Sequence, residues 1–135
     1  MTYNQIKYYS GTSYSYTEDM VYKVTGCKSS EKEIEIFSEY KGCPVTSIAE
    51  YAFENCEELE IIDIPSSVKI IGEGAFKDCS NLVKIDIPNS VLTIDKNAFI
   101  NCSSLTEVII PISVKELGED IFSGCSSLQS IEAIG

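Results

Sequence analysis

Apolar residues recur with a period of 23 positions along most of this chain. Within each period, two apolar residues such as Ile85 and Ile87 alternate with polar neighbours, which is the pattern of a strand with one buried face. At three places a proline follows this stretch, and proline has no N–H to donate to a ladder of hydrogen bonds. The recurring positions are Val45, Val68, Val91 and Val114; Ile48, Ile71, Ile94 and Leu117; Phe53, Phe76, Phe99 and Phe122; Cys56, Cys79, Cys102 and Cys125; and Leu59, Leu82, Leu105 and Leu128.

One such unit holds too few apolar side chains to offset the conformational entropy of ordering its backbone, so the units must stack and share a core. The Val-x-x-Ile and Ala-Phe-x-x-Cys stretches are too short for full helices and favour tight turns or a single helical turn. We therefore predict an α/β-type repeat solenoid made mostly of strands and turns. Its four repeats, 42–64, 65–87, 88–110 and 111–135, form one continuous domain.

Residues 1–41 differ in character from the repeats and predict an N-terminal cap. Six of the eight tyrosines lie among the first 22 residues, and the polar loop Lys28-Ser29-Ser30 separates two strand-like segments, 20–24 and 33–37. A solenoid needs its first coil covered, so we predict a β-hairpin-like flap rich in tyrosine. The alternative is that these tyrosines form a contact surface, because tyrosine is favoured at interfaces.

The repeat motif Ile-Pro-x-Ser-Val…Ala-Phe-x-x-Cys-Ser-x-Leu resembles the BspA-type leucine-rich repeat family over about residues 42–135. Segment 24–45 is similar to the leading segment that often precedes such repeats. The resemblance implies a curved solenoid whose Leu-x-x-Ile-x-Ile strands form a concave parallel sheet. Family members are frequently surface proteins that mediate adhesion and protein binding, whereas residues 1–5 show no signal-peptide pattern. The localisation therefore stays open.

The charge of the chain limits its partners. There are 21 acidic residues against 10 lysines, with no arginine or histidine, and the net charge is −11. Such a chain is unsuited to nucleic acids, which are bound by displacing counterions with lysine and arginine, and to anionic membranes. No apolar run is long enough to span a membrane. A protein partner is expected, and a basic one is favoured.

The six cysteines invite a disulfide or zinc interpretation, and neither fits the spacing. No paired Cys-x2–4-Cys motif typical of a structural zinc site is present. Four cysteines keep the 23-residue register and would lie about 4.8 Å apart on adjacent strands, farther than the Cβ separation of a disulfide. We expect a column of buried thiols. Cys27 and Cys43 lie outside the register, and their pairing stays open.

Catalysis has little support in the sequence. Without histidine there is neither a Ser-His or Cys-His pair nor an imidazole base. No Gly-x-Ser-x-Gly, phosphate-binding or dinucleotide fingerprint occurs. We predict that the protein is not an enzyme and requires neither a cofactor nor a metal.

The polar positions of the strands would form the exposed concave face, in columns that run from coil to coil. The columns are Glu33, Ile61, Lys84, Glu107 and Ser130, and beside them Glu35, Asp63, Asp86, Ile109 and Glu132. Like charges on adjacent strands repel, so this face favours a docking surface. The alternatives are a solvated polar face and a cation bridging Asp63 and Asp86. The predicted partner-binding residues are Glu35, Ile61, Asp63, Lys84, Asp86, Glu107, Ile109 and Glu132.

The last repeat lacks the proline and the polar cap that would close a solenoid. Its final strand is expected to present unpaired backbone groups, which invite pairing with another chain. We predict either a homodimer through an edge formed by Leu128, Ile131, Ala133 and Ile134, or a longer native chain. For the whole molecule we predict a protein–protein interaction module, with adhesion as the role that the resemblance implies. The alternative is a set of structural spacer repeats in a longer surface protein.

Overall fold

The structure, a computed structural model, describes residues 12–17, 21–27 and 31–134. In these ranges the chain forms strands and turns and no helix. The predicted loop at 28–30, Met20 and the tyrosines before residue 12 lie outside the described residues. The twelve strands are β1 Thr12–Tyr16, β2 Tyr22–Cys27, β3 Glu33–Glu35, β4 Glu39–Tyr40, β5 Cys43–Ile48, β6 Ile61–Asp63, β7 Ile70–Ile71, β8 Lys84–Asp86, β9 Thr93–Ile94, β10 Glu107–Pro111, β11 Glu116–Leu117 and β12 Ser130–Ile134.

The strands wind into a solenoid of about five turns. Each turn places one strand in each of two rows. The first row contains the parallel ladder β3-β6-β8 and the parallel pair β10-β12, and the second row runs β2-β5-β7-β9-β11. The solenoid prediction is confirmed, whereas the α/β label is not, because the segments opposite the first row are strands as well.

The second row of strands arises where the sequence favoured turns. The Val-x-x-Ile stretch is extended, and its backbone joins neighbouring coils directly. Lys69 N donates to Thr46 O at 2.8 Å, Leu92 N to Lys69 O at 2.7 Å, and Lys115 N to Leu92 O at 2.7 Å. Since each coil supplies a partner at the same register, a two-residue strand such as Ile70–Ile71 suffices to continue the ladder.

Columns of identical residues form the core, as the 23-residue register predicts. The rings of Phe53, Phe76 and Phe99 are fully buried and stack in parallel, with centroids 5.2 Å apart. The thiols follow the same order: Cys79 Sγ donates to Phe53 O at 3.0 Å, and Cys102 Sγ to Phe76 O at 3.1 Å. The buried thiol column is thus confirmed in the interior coils, while Cys56 and Cys125 are half-buried.

The turn after each phenylalanine uses a left-handed residue at a fixed position. Asn55, Asp78 and Asn101 have φ angles of 61° to 63°, and Gly124 has 78° at the equivalent place. Asn, Asp and Gly tolerate this conformation best, which accounts for their selection. Asn101 Nδ2 also donates to Asp78 Oδ1 at 2.9 Å, so these turns are joined between coils as well.

The strands of the N-terminal segment pair in an order different from the predicted one. β1 pairs antiparallel with β2, and β2 then pairs parallel with β5 in the second row. β3 instead pairs parallel with β6 in the first row. The segments 20–24 and 33–37 are therefore not the two halves of one hairpin. The reason is the exposed-buried-exposed pattern of β3, which matches the repeat strands. The domain boundary at residue 41 stays a prediction.

Aromatic rings of this segment pack over the first turn. Tyr14 stacks between Phe37 and Tyr40, with centroids at 5.9 and 4.6 Å, and Tyr22 meets Tyr40 edge-on at 4.9 Å. The backbone N of Phe37 donates to the Tyr14 hydroxyl at 3.1 Å. Burial raises the pKa of Tyr14, so its hydroxyl stays protonated. That this segment caps the solenoid stays a prediction.

Candidate protein-binding surface

The first row of strands presents one side to the core and the other to solvent. Ile34, Ile62, Ile85 and Val108 are buried, so their neighbours along each strand point outward. We call the outward residues the acidic face. They are Glu33, Glu35, Ile61, Asp63, Lys84, Asp86, Glu107, Ile109, Ser130 and Glu132, and all ten are exposed.

The strand register brings the predicted columns together within each ladder. Across β3, β6 and β8, Glu33 lies beside Ile61 and Lys84, and Glu35 lies beside Asp63 and Asp86. Across β10 and β12, Glu107 lies beside Ser130, and Ile109 lies beside Glu132. All eight residues predicted to bind a partner therefore lie on this face. That they bind one stays a prediction.

The face is divided between the third and fourth strands of the row. β8 belongs to the three-stranded ladder and β10 to the two-stranded one, so the row is not a single continuous sheet. A crevice of about 190 Å³ lies between them, lined by residues that include Val83, Asp86, Thr106 and Ile109. The division separates the Glu35–Asp63–Asp86 column from Ile109 and Glu132.

Acidic side chains dominate the electrostatics of the face. Six carboxylates share it with one lysine, and Lys84 Nζ lies 3.7 Å from Asp86 Oδ2. Both partners of this ion pair are well exposed, so the pair stabilises the fold little. Glu35, Asp63 and Asp86 stand side by side on adjacent strands, an arrangement that is mildly unfavourable.

A groove of about 540 Å³ runs over the three-stranded part of the face. Its floor is the buried pair Ile34 and Ile62, and its walls are the exposed residues of β3, β6 and β8 together with Glu31. Glu31 was not among the predicted residues, because it precedes the strand. The alternation that places Glu33 and Glu35 outward reaches Glu31 two residues earlier, and that signal would have found it.

Two isoleucines lie among these polar side chains. Ile61 is 39% exposed and Ile109 is 42% exposed, at positions that carry charged residues in other coils. Single exposed apolar residues are common on protein surfaces, so these two isoleucines gain significance only from the charged columns around them.

The described residues offer no metal-binding group of three or more His, Cys, Asp or Glu side chains. Asp63 and Asp86 alone supply too few oxygen ligands for calcium. Within the same ranges, no helix is long and apolar enough to cross a membrane. Burial raises the pKa of the Cys102 thiol strongly, which disfavours the thiolate that a nucleophile would need.

The last turn is open on its outer side. β12 pairs with β10, and no other strand in the described part of the chain pairs with it. Ile131 is 51% exposed and Leu128 is half-buried, while the side chains of Ala133 and Ile134 lie outside the described residues. A homodimer through this edge stays a prediction.

Comparison with known proteins identifies the family. The model of the BspA type leucine rich repeat region (6 copies) matches residues 27–134. The chain belongs to the BspA-type leucine-rich repeat family. This family is a repeat module of surface proteins and is typically non-enzymatic. No protein with a curated description matches the chain.

Solved structures of other leucine-rich repeat proteins share the fold of this chain. A leucine-rich repeat protein from Bacteroides capillosus is 25% identical, with a TM-score of 0.84, over 93% of this chain and 96% of that one. The T. pallidum leucine-rich repeat protein is 28% identical, with a TM-score of 0.76, over 96% and 70%. A leucine-rich cell surface protein from Faecalibacterium prausnitzii is 25% identical, with a TM-score of 0.70, over 92% of this chain but 38% of that one.

Proposed function

We propose that this BspA-type chain is a protein-binding module and that its partner docks on the acidic face. The observation that carries the proposal is the in-register column Glu35–Asp63–Asp86 on three adjacent strands. Such a column destabilises the fold slightly. Lys84 of the same chain already lies 3.7 Å from Asp86, and a cationic group of a partner would offset the repulsion that remains between Glu35 and Asp63.

The apolar residues of the face support the same function. Ile61 projects from the middle strand of the three-stranded ladder, with Glu33 and Lys84 beside it in the same column. Burying this side chain against a partner supplies the apolar contact, while the surrounding charges steer association and fix orientation. The partner is therefore expected to present basic side chains around an apolar centre.

The test compares two charge reversals of equal size. Asp63→Lys with Asp86→Lys alters the acidic face, and Glu57→Lys with Glu58→Lys alters two exposed acids in the turn before β6. Immobilised wild-type protein and both variants are used to capture proteins from a cell lysate. We expect some proteins to be captured by the wild type and the turn variant but not by the face variant. These proteins should be released from the wild type as the salt concentration rises.

Equal capture by all three forms would reject the acidic face as the binding site. The melting temperature of the face variant should be unchanged or slightly raised, so lost binding cannot be attributed to unfolding.

The second candidate is a structural spacer, and one observation favours it. This chain spans 38% of the cell surface protein from Faecalibacterium prausnitzii, so similar coils occur within much longer proteins. Regular coils that stack through the same contacts are suited to setting a length. Failure of the wild type and both variants to capture any protein above the level of the bare matrix would favour this function over binding.

A further inference from the structure

The two rows of strands end differently at the N-terminal side of the solenoid. In the second row, β1 pairs along the outer edge of β2, so that edge is occupied. In the first row, β3 pairs with β6, and no strand within residues 12–17, 21–27 and 31–134 pairs with its other side. We call this other side of β3 the β3 edge. A strand edge of this kind offers its backbone groups to an additional strand.

The hydrogen bonds to β6 show which backbone groups point to the β3 edge. Lys32 O accepts a hydrogen bond from Ile61 N at 3.1 Å, and Ile36 N donates one to the last residue of β6 at 3.0 Å. Successive residues of a strand direct their N–H and C=O groups to opposite sides. The backbone groups of Glu33 and Glu35 therefore point away from β6 and towards the β3 edge.

A tyrosine limits the length of the β3 edge. Two residues after Glu35, the N–H of Phe37 donates to the Tyr14 hydroxyl at 3.1 Å. Glu33 and Glu35 thus stand before this contact as the two residues of β3 that direct backbone groups outward. An antiparallel strand can exchange about four hydrogen bonds with two such residues. The β3 edge therefore suits a short extended segment.

The side chains beside the β3 edge are acidic. Glu33 and Glu35 are exposed on the same side of the strand, with buried Ile34 between them. Residues 31–36 contain three acids and one base, Lys32. Both ion pairs in the part of the chain that the structure describes involve other acids. The edge therefore combines outward backbone groups with two acids at alternate positions.

We propose that the β3 edge takes up an extended segment of a partner protein in which two basic residues flank one uncharged residue. Main-chain hydrogen bonds to an exposed sheet edge supply affinity, and alternate side chains supply specificity. The two basic side chains lie beside Glu33 and Glu35, because alternate side chains of a strand point to the same face. The middle side chain points to the side of Ile34, which is 5% exposed and thus already covered. The middle residue therefore needs no pocket of its own.

The inference rests on the proposed function, because Glu33 and Glu35 belong to the acidic face, and it specifies the chemistry of the partner. Charge also determines what the β3 edge rejects. The same edge of a second copy would bring its own two glutamates, and like charges on adjacent strands repel. At the opposite end of the first row, β12 presents Ser130 and Glu132 outward, so a basic pair would meet one acid there instead of two.

An NMR titration of the isotope-labelled full chain with capped peptides tests the proposal. The probe is Ser-Thr-Lys-Val-Lys-Thr-Ser. The control is Ser-Thr-Val-Lys-Lys-Thr-Ser, which has the same composition but directs its two lysines to opposite sides of the strand. We expect the probe to shift the backbone amide signals of Glu33 and Glu35, and the control to bind about fivefold more weakly. A probe methylated at the three central backbone nitrogens keeps its charges, loses its donors and should not bind.

Charge reversal in the protein separates the β3 edge from the rest of the surface. Glu33→Lys with Glu35→Lys should weaken binding of the probe about tenfold, because repulsion replaces attraction at both positions. The matched control, Glu116→Lys with Glu119→Lys, makes the same change of charge at exposed positions of the last coil and should bind the probe like the wild type. Equal loss of binding in both variants would show that only the total charge matters and would overturn the proposal.

Amide hydrogen exchange of the full chain examines the β3 edge itself. Without peptide, the amides of Glu33 and Glu35 should exchange faster than that of Ile36, which is bonded to β6. The probe should slow both of them. Slow exchange of Glu33 and Glu35 before any peptide is added would show that the chain covers its own edge. That result, or equal binding of the probe, the control and the methylated peptide, overturns the proposal.

The two proposals fail separately. If the probe leaves Glu33 and Glu35 unaffected but capture still depends on Asp63 and Asp86, docking at the β3 edge is wrong and the binding function stands. If the probe docks at the β3 edge but capture is equal in all forms, the edge binds extended segments and the assignment of binding to Asp63 and Asp86 is wrong.

Discussion

The interior coils and the last coil carry the same or similar apolar residues at the same register, yet their burial differs. Phe99 is fully buried, whereas Phe122 is half-buried with its ring centroid 5.8 Å from that of Phe99. Ile94 is fully buried, while Leu117, its neighbour in register, is 56% exposed. A residue in this fold is thus buried by its own coil and by the next one. The stability that it contributes depends on its place in the stack as much as on its identity.

The largest expected effect is on core packing. Phe99→Ala should lower the free energy of unfolding by about 3–5 kcal/mol, because it leaves a cavity between two stacked rings. Phe122→Ala should cost less than half of that, because solvent already reaches its ring. Chemical denaturation of both variants measures the difference. Equal losses would show that the last coil is packed as tightly as the interior.

The next effect is on thiol reactivity. Burial raises the pKa of both Cys102 and Cys125, with Cys102 the more strongly shifted. The reactive thiolate is therefore scarcer at Cys102, and its sulfur is also less accessible. We expect a thiol reagent to label Cys125 about a hundredfold faster at neutral pH, since labelling of Cys102 awaits local opening. Mass spectrometry of partly labelled native protein shows which of the two cysteines is labelled first. Labelling of Cys102 before Cys125 would contradict the prediction.

The smallest effect concerns surface charge. Asp63→Lys places a cation between Glu35 and Asp86, so it should raise the free energy of unfolding by about 0.5–1 kcal/mol. Glu132 lies beside Ile109 on the neighbouring strand, so Glu132→Lys removes no repulsion between like charges. This substitution should therefore change the free energy of unfolding by less. Thermal unfolding at low salt compares the two. A loss of stability in Asp63→Lys would show that the column is not unfavourable.

Much of the fold follows from the period of 23. The register determined which residues form columns, and the alternation along β3, β6, β8, β10 and β12 placed every predicted partner-binding residue outward. This succeeded because in a stacked solenoid equivalent positions lie side by side, so one spacing determines many contacts. Glu31 was not predicted because it precedes β3, and the alternation of inward and outward side chains was followed only within the strands.

Other features depend on contacts between separate segments of the chain, and the residue pattern within one segment does not reveal such contacts. The second row of strands has only two residues per coil in β7, β9 and β11, which is too short for a periodicity to be recognised. The pairing of β1 with β2 was missed because segment 33–37 resembled the second half of a hairpin, although its buried centre, Ile34, belongs with Ile62.

The hydrogen bonds of both rows join one coil to the next and so run along the length of the stack. A tensile force applied to the two ends would load the bonds of the outermost coil first. Coils would then detach from the stack one at a time, because each step breaks only the hydrogen bonds of one coil. Strands that are loaded in shear, by contrast, break all their hydrogen bonds together. Each released coil would add the extended length of 23 residues, about 75 Å, to the tether. Under tension the chain would therefore lengthen in steps of one coil at a time.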